Sequence, residues 1–297
     1  MAKEPIVYQS NPLVECRRDF SLIETRLFYI GLRDLVPRLT EKDTPWKNSY
    51  RDFPVTVIPP KDIIDLFGND KYYATLHDIC RDFAKKTVEI HSAKDNGYEV
   101  YPVFAMLKYD SVEGLTLAFN PFMVPWLLDL ANKPFTKLPF EQVWALRTSN
   151  AIRIFELVLQ YQNTKTHERT ISIEDLKQYL GIELNSYKGR NDMFRQRVID
   201  PSVKDINEKT SYKIESEPVK KGRKIVGFKF KLHLPTEIKK EKRKKQIKNI
   251  GKLVADTVKN CSSESTEEEK LFQMTDEQAE LGKRKYAELM ARLKASE

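Results

Sequence analysis

VTVIPPKDIIDLFG, residues 55–68, and TISIEDLKQYLG, residues 170–181, are two versions of one pattern. Each begins with alternating β-branched residues, the period-2 signature of a half-buried strand. Each then enters a short helix with apolar residues three and four apart and stops at a glycine. A shift of 113 residues places Ile58 on Ile171, Asp62 on Asp175, Ile63 on Leu176, Phe67 on Leu180 and Gly68 on Gly181. The glycines are the expected left-handed helix caps, where a side chain would clash. Repetition over so long a period points to a duplicated unit and hence to two similar domains in one chain.

The flanks extend the pattern. Upstream, Ser21 and Glu24 form an S-x-x-E capping box ahead of Leu22, Ile23, Leu27, Phe28, Ile30 and Leu35, which predicts a helix over 21–37. Downstream, Leu76, Ile79, Cys80 and Phe83 recur at helical spacing, and Lys86 and Thr87 close that helix before a strand. TVEIHSA (87–93) and YEVYPVFAMLKYD (98–110) read as a hairpin around the turn residues AKDNG. GLTLAFN (114–120) reads as a further strand ahead of a short helix at 122–130. The second half repeats the order with a helix over 140–161, the strand and helix of 170–181, and a helix over 190–208. Lys209 and Thr210 then match Lys86 and Thr87 after ten additional residues, and two strands flank the KKGRK turn at 220–224. Helix, strand, helix, helix, hairpin is the order of a winged helix-turn-helix. The expected fold class is therefore α+β, mainly α: two tandem winged-helix domains with β-hairpin wings, at 1–132 and 133–235, followed by a charged C-terminal tail at 236–297.

The charge is unevenly spread. The 297 residues carry 51 Lys and Arg against 43 Asp and Glu, a net +8. Residues 185–235 hold 13 basic against 6 acidic side chains and residues 236–252 hold 8 against 2, so the remainder is net −5. A field confined in this way suits a polyanion better than a neutral small molecule, and the winged-helix order makes double-stranded DNA the expected one. On a 100° wheel over 190–208, Phe194, Val198, Ile199, Val203 and Ile206 share one half-circle. Arg190, Arg197 and Lys204 lie opposite, with Gln196 at the edge. Helix-turn-helix docking lays such a face in the major groove, where guanidinium forks match guanine. Arg195 falls inside the apolar arc, which requires snorkelling or a bend at Pro201. Lys188 ahead of the helix, with Lys220, Lys221, Arg223 and Lys224 around Gly222, are expected to hold phosphates. In the first copy the corresponding helix offers Lys71, Tyr72, Arg81 and Lys85 mixed with Asp78, so packing against another subunit is its alternative role. A solvated surface is the plain alternative for every one of these basic groups.

Other chemistry is missing. No apolar run approaches the ~18 residues of a membrane span, and residues 1–20 hold no apolar stretch of signal-peptide length, so a cytoplasmic protein without membrane contact is expected. Cys16, Cys80 and Cys261 lie far apart and outside any metal-ligand spacing, and His77, His91, His167 and His233 are isolated. No GxxxxGK[ST] loop occurs to cradle a nucleotide. Tyr72 and Tyr73 lack the metal-binding cluster that a DNA-nicking tyrosine needs. No catalytic residue, metal site or cofactor is expected.

Four segments carry a family resemblance: SNPLVECRRDFSLIETRLFYIGL (10–32), RTSNAIRIFELVLQY (147–161), FRQRVIDPSVKDINEKT (194–210) and EPVKKGRKIVGFKF (217–230). In this order they resemble the initiator Rep proteins of iteron-containing plasmids, over residues 10–234. The resemblance implies two winged-helix domains, binding to direct repeats at a replication origin, and no chemistry of the protein's own. It further implies a homodimer in equilibrium with a monomer, autorepression by dimers, and recruitment of the host initiator and replicative helicase by monomers that open the origin. It assigns main recognition to 194–207, and a second DNA contact with much of the dimer surface to the first domain. A dedicated repressor on a palindromic operator, a nicking-type initiator enzyme and a basic RNA-binding or structural protein remain alternatives. The tail falls outside the shared pattern.

Overall fold

In the computed structural model, residues 4–35, 37, 39–40, 42, 55–67, 72–91 and 97–238 are described. Gly68, Lys71, the 92–96 turn and the tail from 239 onward lie outside the described residues. Strand β1 (Ile6–Ser10) leads into α1 (Asn11–Glu15) and α2 (Leu22–Arg33). The capping box of α2 forms as read: Ser21 Oγ accepts from Glu24 N, and Glu24 accepts from Ser21 N at 2.7 Å. The helix ends at Arg33, one turn short of Pro37.

The duplicated segments fold alike. Strand β2 (Val55–Ile58) and helix α3 (Pro60–Phe67) correspond to β8 (Glu168–Ser172) and α8 (Ile173–Tyr179). Each strand pairs antiparallel with a later one, β2 with β6 (Gly114–Phe119) and β8 with β10 (Lys224–His233). The shift of 113 persists in that register: Ile58 faces Leu115 as Ile171 faces Phe228, and Thr56 faces Leu117 as Arg169 faces Phe230. Even the close backbone approach repeats. A Cβ on Gly114 would lie 2.0 Å from the Ile58 carbonyl oxygen, and one on Gly227 would lie 2.6 Å from that of Ile171. Gly181 takes the left-handed conformation expected of a helix cap, φ +69°.

Where the halves diverge, the hairpins are placed differently from the sequence reading. The three-stranded sheets have the orders β2-β6-β5 and β8-β10-β9, with β5 at Phe104–Asp110 and β9 at Lys213–Lys221. The counterpart of the second wing is therefore β5 with β6. The segment TVEIHSA instead forms a separate ribbon, β3 (Thr87–His91) with β4 (Tyr98–Pro102), which has no equivalent after 209. The run 98–110 breaks into two strands because Pro102 has no N–H to donate, and because Val103 crosses from one sheet to the other, its N–H donating to Lys86 O just before β3 and its carbonyl accepting from Asn120 N just after β6.

The helix expected over 140–161 is likewise two. After a 3-10 turn (Pro121–Met123), α5 (Val124–Leu127) and β7 (Phe135–Pro139) come α6 (Phe140–Trp144) and α7 (Ser149–Leu159). A tertiary contact causes the break: the carboxylate of Asp205 accepts from Arg147 N at 2.8 Å, and Thr148 caps α7 through Ala151 N. Every residue of α7 from Ala151 to Leu159 is buried, the charged Arg153 and Glu156 included. It packs on α1 in the first half and on the helix at Asp200–Lys209 in the second. Among the described residues no helix is long and apolar enough to cross a membrane.

A charged cluster is sealed into this joint. Glu156 is fully buried and accepts from Arg18, Arg153 and the Tyr29 hydroxyl. Arg153 also donates to the carbonyls of Val14 and Cys16 at 2.8 Å and of Tyr179 at 3.0 Å, which ties α1 to the end of α8. Burial raises the pKa of Glu156, and Arg18 opposes that shift. A carboxylate held by two guanidinium groups and a hydroxyl meets the condition for a tolerated buried charge.

Candidate nucleic-acid interface

The basic helix is continuous but not uniform. It runs as α9 (Asn191–Phe194), a π turn (Arg195–Ile199) and α10 (Asp200–Lys209). Pro201 explains the wide turn. It has no N–H for the carbonyl four residues back, so the ladder slips and Asp200 N donates instead to Arg195 O, five residues back. Ser202 Oγ donates to Val198 O at 2.7 Å and satisfies another acceptor in the turn. This extra residue corrects the uniform 100° wheel, which placed Arg195 in the apolar arc. Arg195 is half-exposed and its Nε donates to Asp200 at 3.2 Å. Phe194, Val198, Ile199 and Ile206 are buried as expected, whereas Arg190, Gln196, Arg197 and Lys204 are exposed. Lys204 lies 3.8 Å from Glu208.

Two asparagines pin this helix along the wing. At its start, Asn191 Nδ2 donates to Ile225 O at 2.8 Å, next to the shift in β9–β10 register between Ile225 and Gly227. At its end, Asn207 makes a paired bond with Ile214, accepting from its N–H and donating to its carbonyl. The helix therefore starts beside the tip of the wing and ends beside its base. A chain of aromatic contacts supports it from below, Tyr187 on Phe194 and Phe194 on Phe228, with ring centroids 5.6 and 6.3 Å apart.

The wing tip is a two-residue turn. Lys221 pairs with Lys224, and Gly222 alone of the two loop residues has positive φ, +63°, the arrangement of a type II′ turn. Lys220, Lys221, Arg223 and Lys224 are exposed, as is Lys188 ahead of the helix. Among the described residues none of these five, nor Arg190 or Arg197, lies in an ion pair with a carboxylate. The Asn191–Ile225 bond brings Arg190 and Lys224 to neighbouring positions, so the cations of helix and wing converge there.

The first half presents a different surface. Its helix α4 (Tyr73–Phe83) exposes Arg81, and Lys85 is exposed just past its end, but Arg81 pairs with Asp78 at 3.2 Å and Lys85 with Asp82 at 3.2 Å. The hydrogen bond and charge of Lys85 hold the Asp82 carboxyl below its usual range. Tyr72, a candidate contact in the sequence, is only 8% exposed and stacks on Phe67, with its hydroxyl 3.0 Å from that of Tyr109. Its apolar ring packs into the base of α4, so it is a core residue. Asn191, Asp200 and Asn207 were not singled out in the sequence, since polar residues beside a basic helix give no signal of their own. Glu156 had one, a lone carboxylate inside the apolar run RIFELVL. Among the described residues no group of His, Cys, Asp and Glu is placed to hold a metal ion.

Two tandem winged helices, the second with a basic helix pinned to a basic wing, define a DNA-binding winged-helix protein. The sequence profile of the family described as Initiator Replication protein, WH1, matches residues 6–159, and that of Initiator Rep protein, WH2, matches residues 172–232. The chain belongs to the initiator Rep proteins. The first profile extends past the 132/133 division and takes in β7, α6 and α7. A replication initiation protein of Escherichia coli is 25% identical over 265 residues, 87% of this chain and 80% of the relative. Among solved structures, the Pi initiator protein in complex with iteron DNA shares the fold with a TM-score of 0.58. It is 18% identical, and the match covers 77% of this chain and 97% of that one.

Proposed function

We propose that this protein initiates replication by binding tandem repeats of duplex DNA at an origin. The single observation that carries this reading is the set of exposed cations without acidic partners, Arg190 and Arg197 on the helix and Lys220, Lys221, Arg223 and Lys224 on the wing, held together by the Asn191–Ile225 bond. Gln196 and Arg197 read base edges, Lys204 borders that face, and Lys188 with the wing cations holds phosphates. The solved relative bound to iteron DNA supports direct repeats as the arrangement recognised. On this reading the first domain supplies much of a homodimer surface and only a minor DNA contact, since Arg81 and Lys85 are paired with aspartates. The monomer opens the origin and recruits the host initiator and replicative helicase, and the dimer represses the protein's own promoter, all without catalysis by the chain itself.

Fluorescence anisotropy on a labelled duplex of the tandem repeats flanking the coding sequence tests the central claim. With ~6 phosphates neutralised, affinity falls on the order of 10³-fold between 50 and 200 mM salt. Binding that ignores salt, or that is equal for repeats and scrambled duplex, would overturn it.

A further inference from the structure

The π turn does more than accommodate Pro201. In a regular α-helix, residues five apart point some 140° away from each other and their side chains do not meet. In a π turn the fifth residue takes the place the fourth has in an α-helix, and the backbone bond from Asp200 N to Arg195 O puts these two residues in that relation. Their side chains meet as a result, with Arg195 Nε donating to Asp200 Oδ1 at 3.2 Å. The contact sits at the surface, with the side chains 41% and 43% exposed.

The geometry of this pair is specific. A guanidinium group has a side edge that includes Nε and an end formed by Nη1 and Nη2. Asp200 occupies Nε, and among the described residues neither Nη atom of Arg195 has a hydrogen-bond partner. The end fork is the part that matches O6 and N7 of guanine in the major groove. A guanidinium already held on one edge also loses less side-chain freedom when it docks, and the adjacent carboxylate disfavours a phosphate in the same place.

We propose that Arg195 reads a guanine and that Asp200, acting across the π turn, is the positioning residue that sets this preference. The proposal rests on the DNA-reading role above and adds to it one base and one residue outside the basic face. Selection from a pool of randomised duplexes, using the full chain, tests it. The wild type enriches a motif with guanine at one position that depends on Arg195. Asp200→Asn relaxes that same position roughly tenfold or more, as does Arg195→Lys, while preferences elsewhere and the salt dependence stay at wild-type values. If Asp200→Asn keeps every preference, or weakens all positions evenly while Arg195→Lys affects one, the pairing has no role in reading. Should Asp200→Asn fail to fold, Arg195→Lys decides: an unchanged motif overturns the assignment, and loss confined to one guanine supports it. A wild-type protein that enriches no sequence at all overturns the DNA-reading role itself, an outcome distinct from a motif without a guanine tied to Arg195.

Discussion

Helix α4 of the first half and the π-turned helix of the second occupy the same place in a duplicated scaffold, yet they present opposite electrostatics. On α4 and just past its end, the exposed Arg81 and Lys85 are each paired with an aspartate within 3.2 Å. On the second helix and its wing, Arg190, Arg197, Lys220, Lys221, Arg223 and Lys224 are exposed with no acidic partner among the described residues. Surface pairs of the first kind add little stability, about 0–1 kcal/mol each, but they cancel the field that would attract phosphate. The scaffold supplies an outward helix in both halves. Only the distribution of acids among the bases makes one of them suited to a polyanion.

This contrast can be broken at three levels. The largest effect is expected where the halves share a frame: Glu156→Ala leaves Arg18 and Arg153 buried without their carboxylate. It should cost about 3–5 kcal/mol in urea unfolding. A loss below ~1 kcal/mol would mean that the joint is held by apolar packing alone. Next, replacing Lys220, Lys221, Arg223 and Lys224 together by Ala should lower duplex affinity on the order of 10²-fold and reduce the salt slope by about 3 to 4. Arg197→Ala beside it should instead cost about 1–3 kcal/mol at one base position. An unaltered slope in the wing variant would remove the wing from the interface. The smallest effect belongs to α4, where Arg81→Ala with Lys85→Ala should change affinity less than roughly threefold, because those cations are already neutralised. A loss as large as that of the wing variant would erase the distinction between the two halves.

Much of the architecture could be read along the chain. The capping box at Ser21 and Glu24, the glycine stop at Gly181 and the 113-residue repeat all rest on interactions within a few residues or on recurrence of the same local pattern. They hold in the structure. The basic helix and wing were also legible, because charge counts and helical spacing report exposure directly. Three readings failed where distant residues intervene. Asp205 takes the Arg147 N–H and divides a helix that is continuous in pattern, and Val103 passes the chain from one sheet to the other through its bonds with Lys86 and Asn120. Tyr72 turns inward to Phe67 and Tyr109.

What this chain spells out in order of residues is its period, its caps and its charge, since each depends on neighbours no more than a turn or a strand away. Which hairpin became the counterpart of the wing, where the long helix pattern of 140–161 breaks, and how the basic helix is fixed against its wing follow from packing. The Asp205–Arg147 contact joins residues 58 positions apart, and the Asn191–Ile225 bond joins residues 34 positions apart. Long-range contacts of that kind select among local options that the sequence leaves equal in energy.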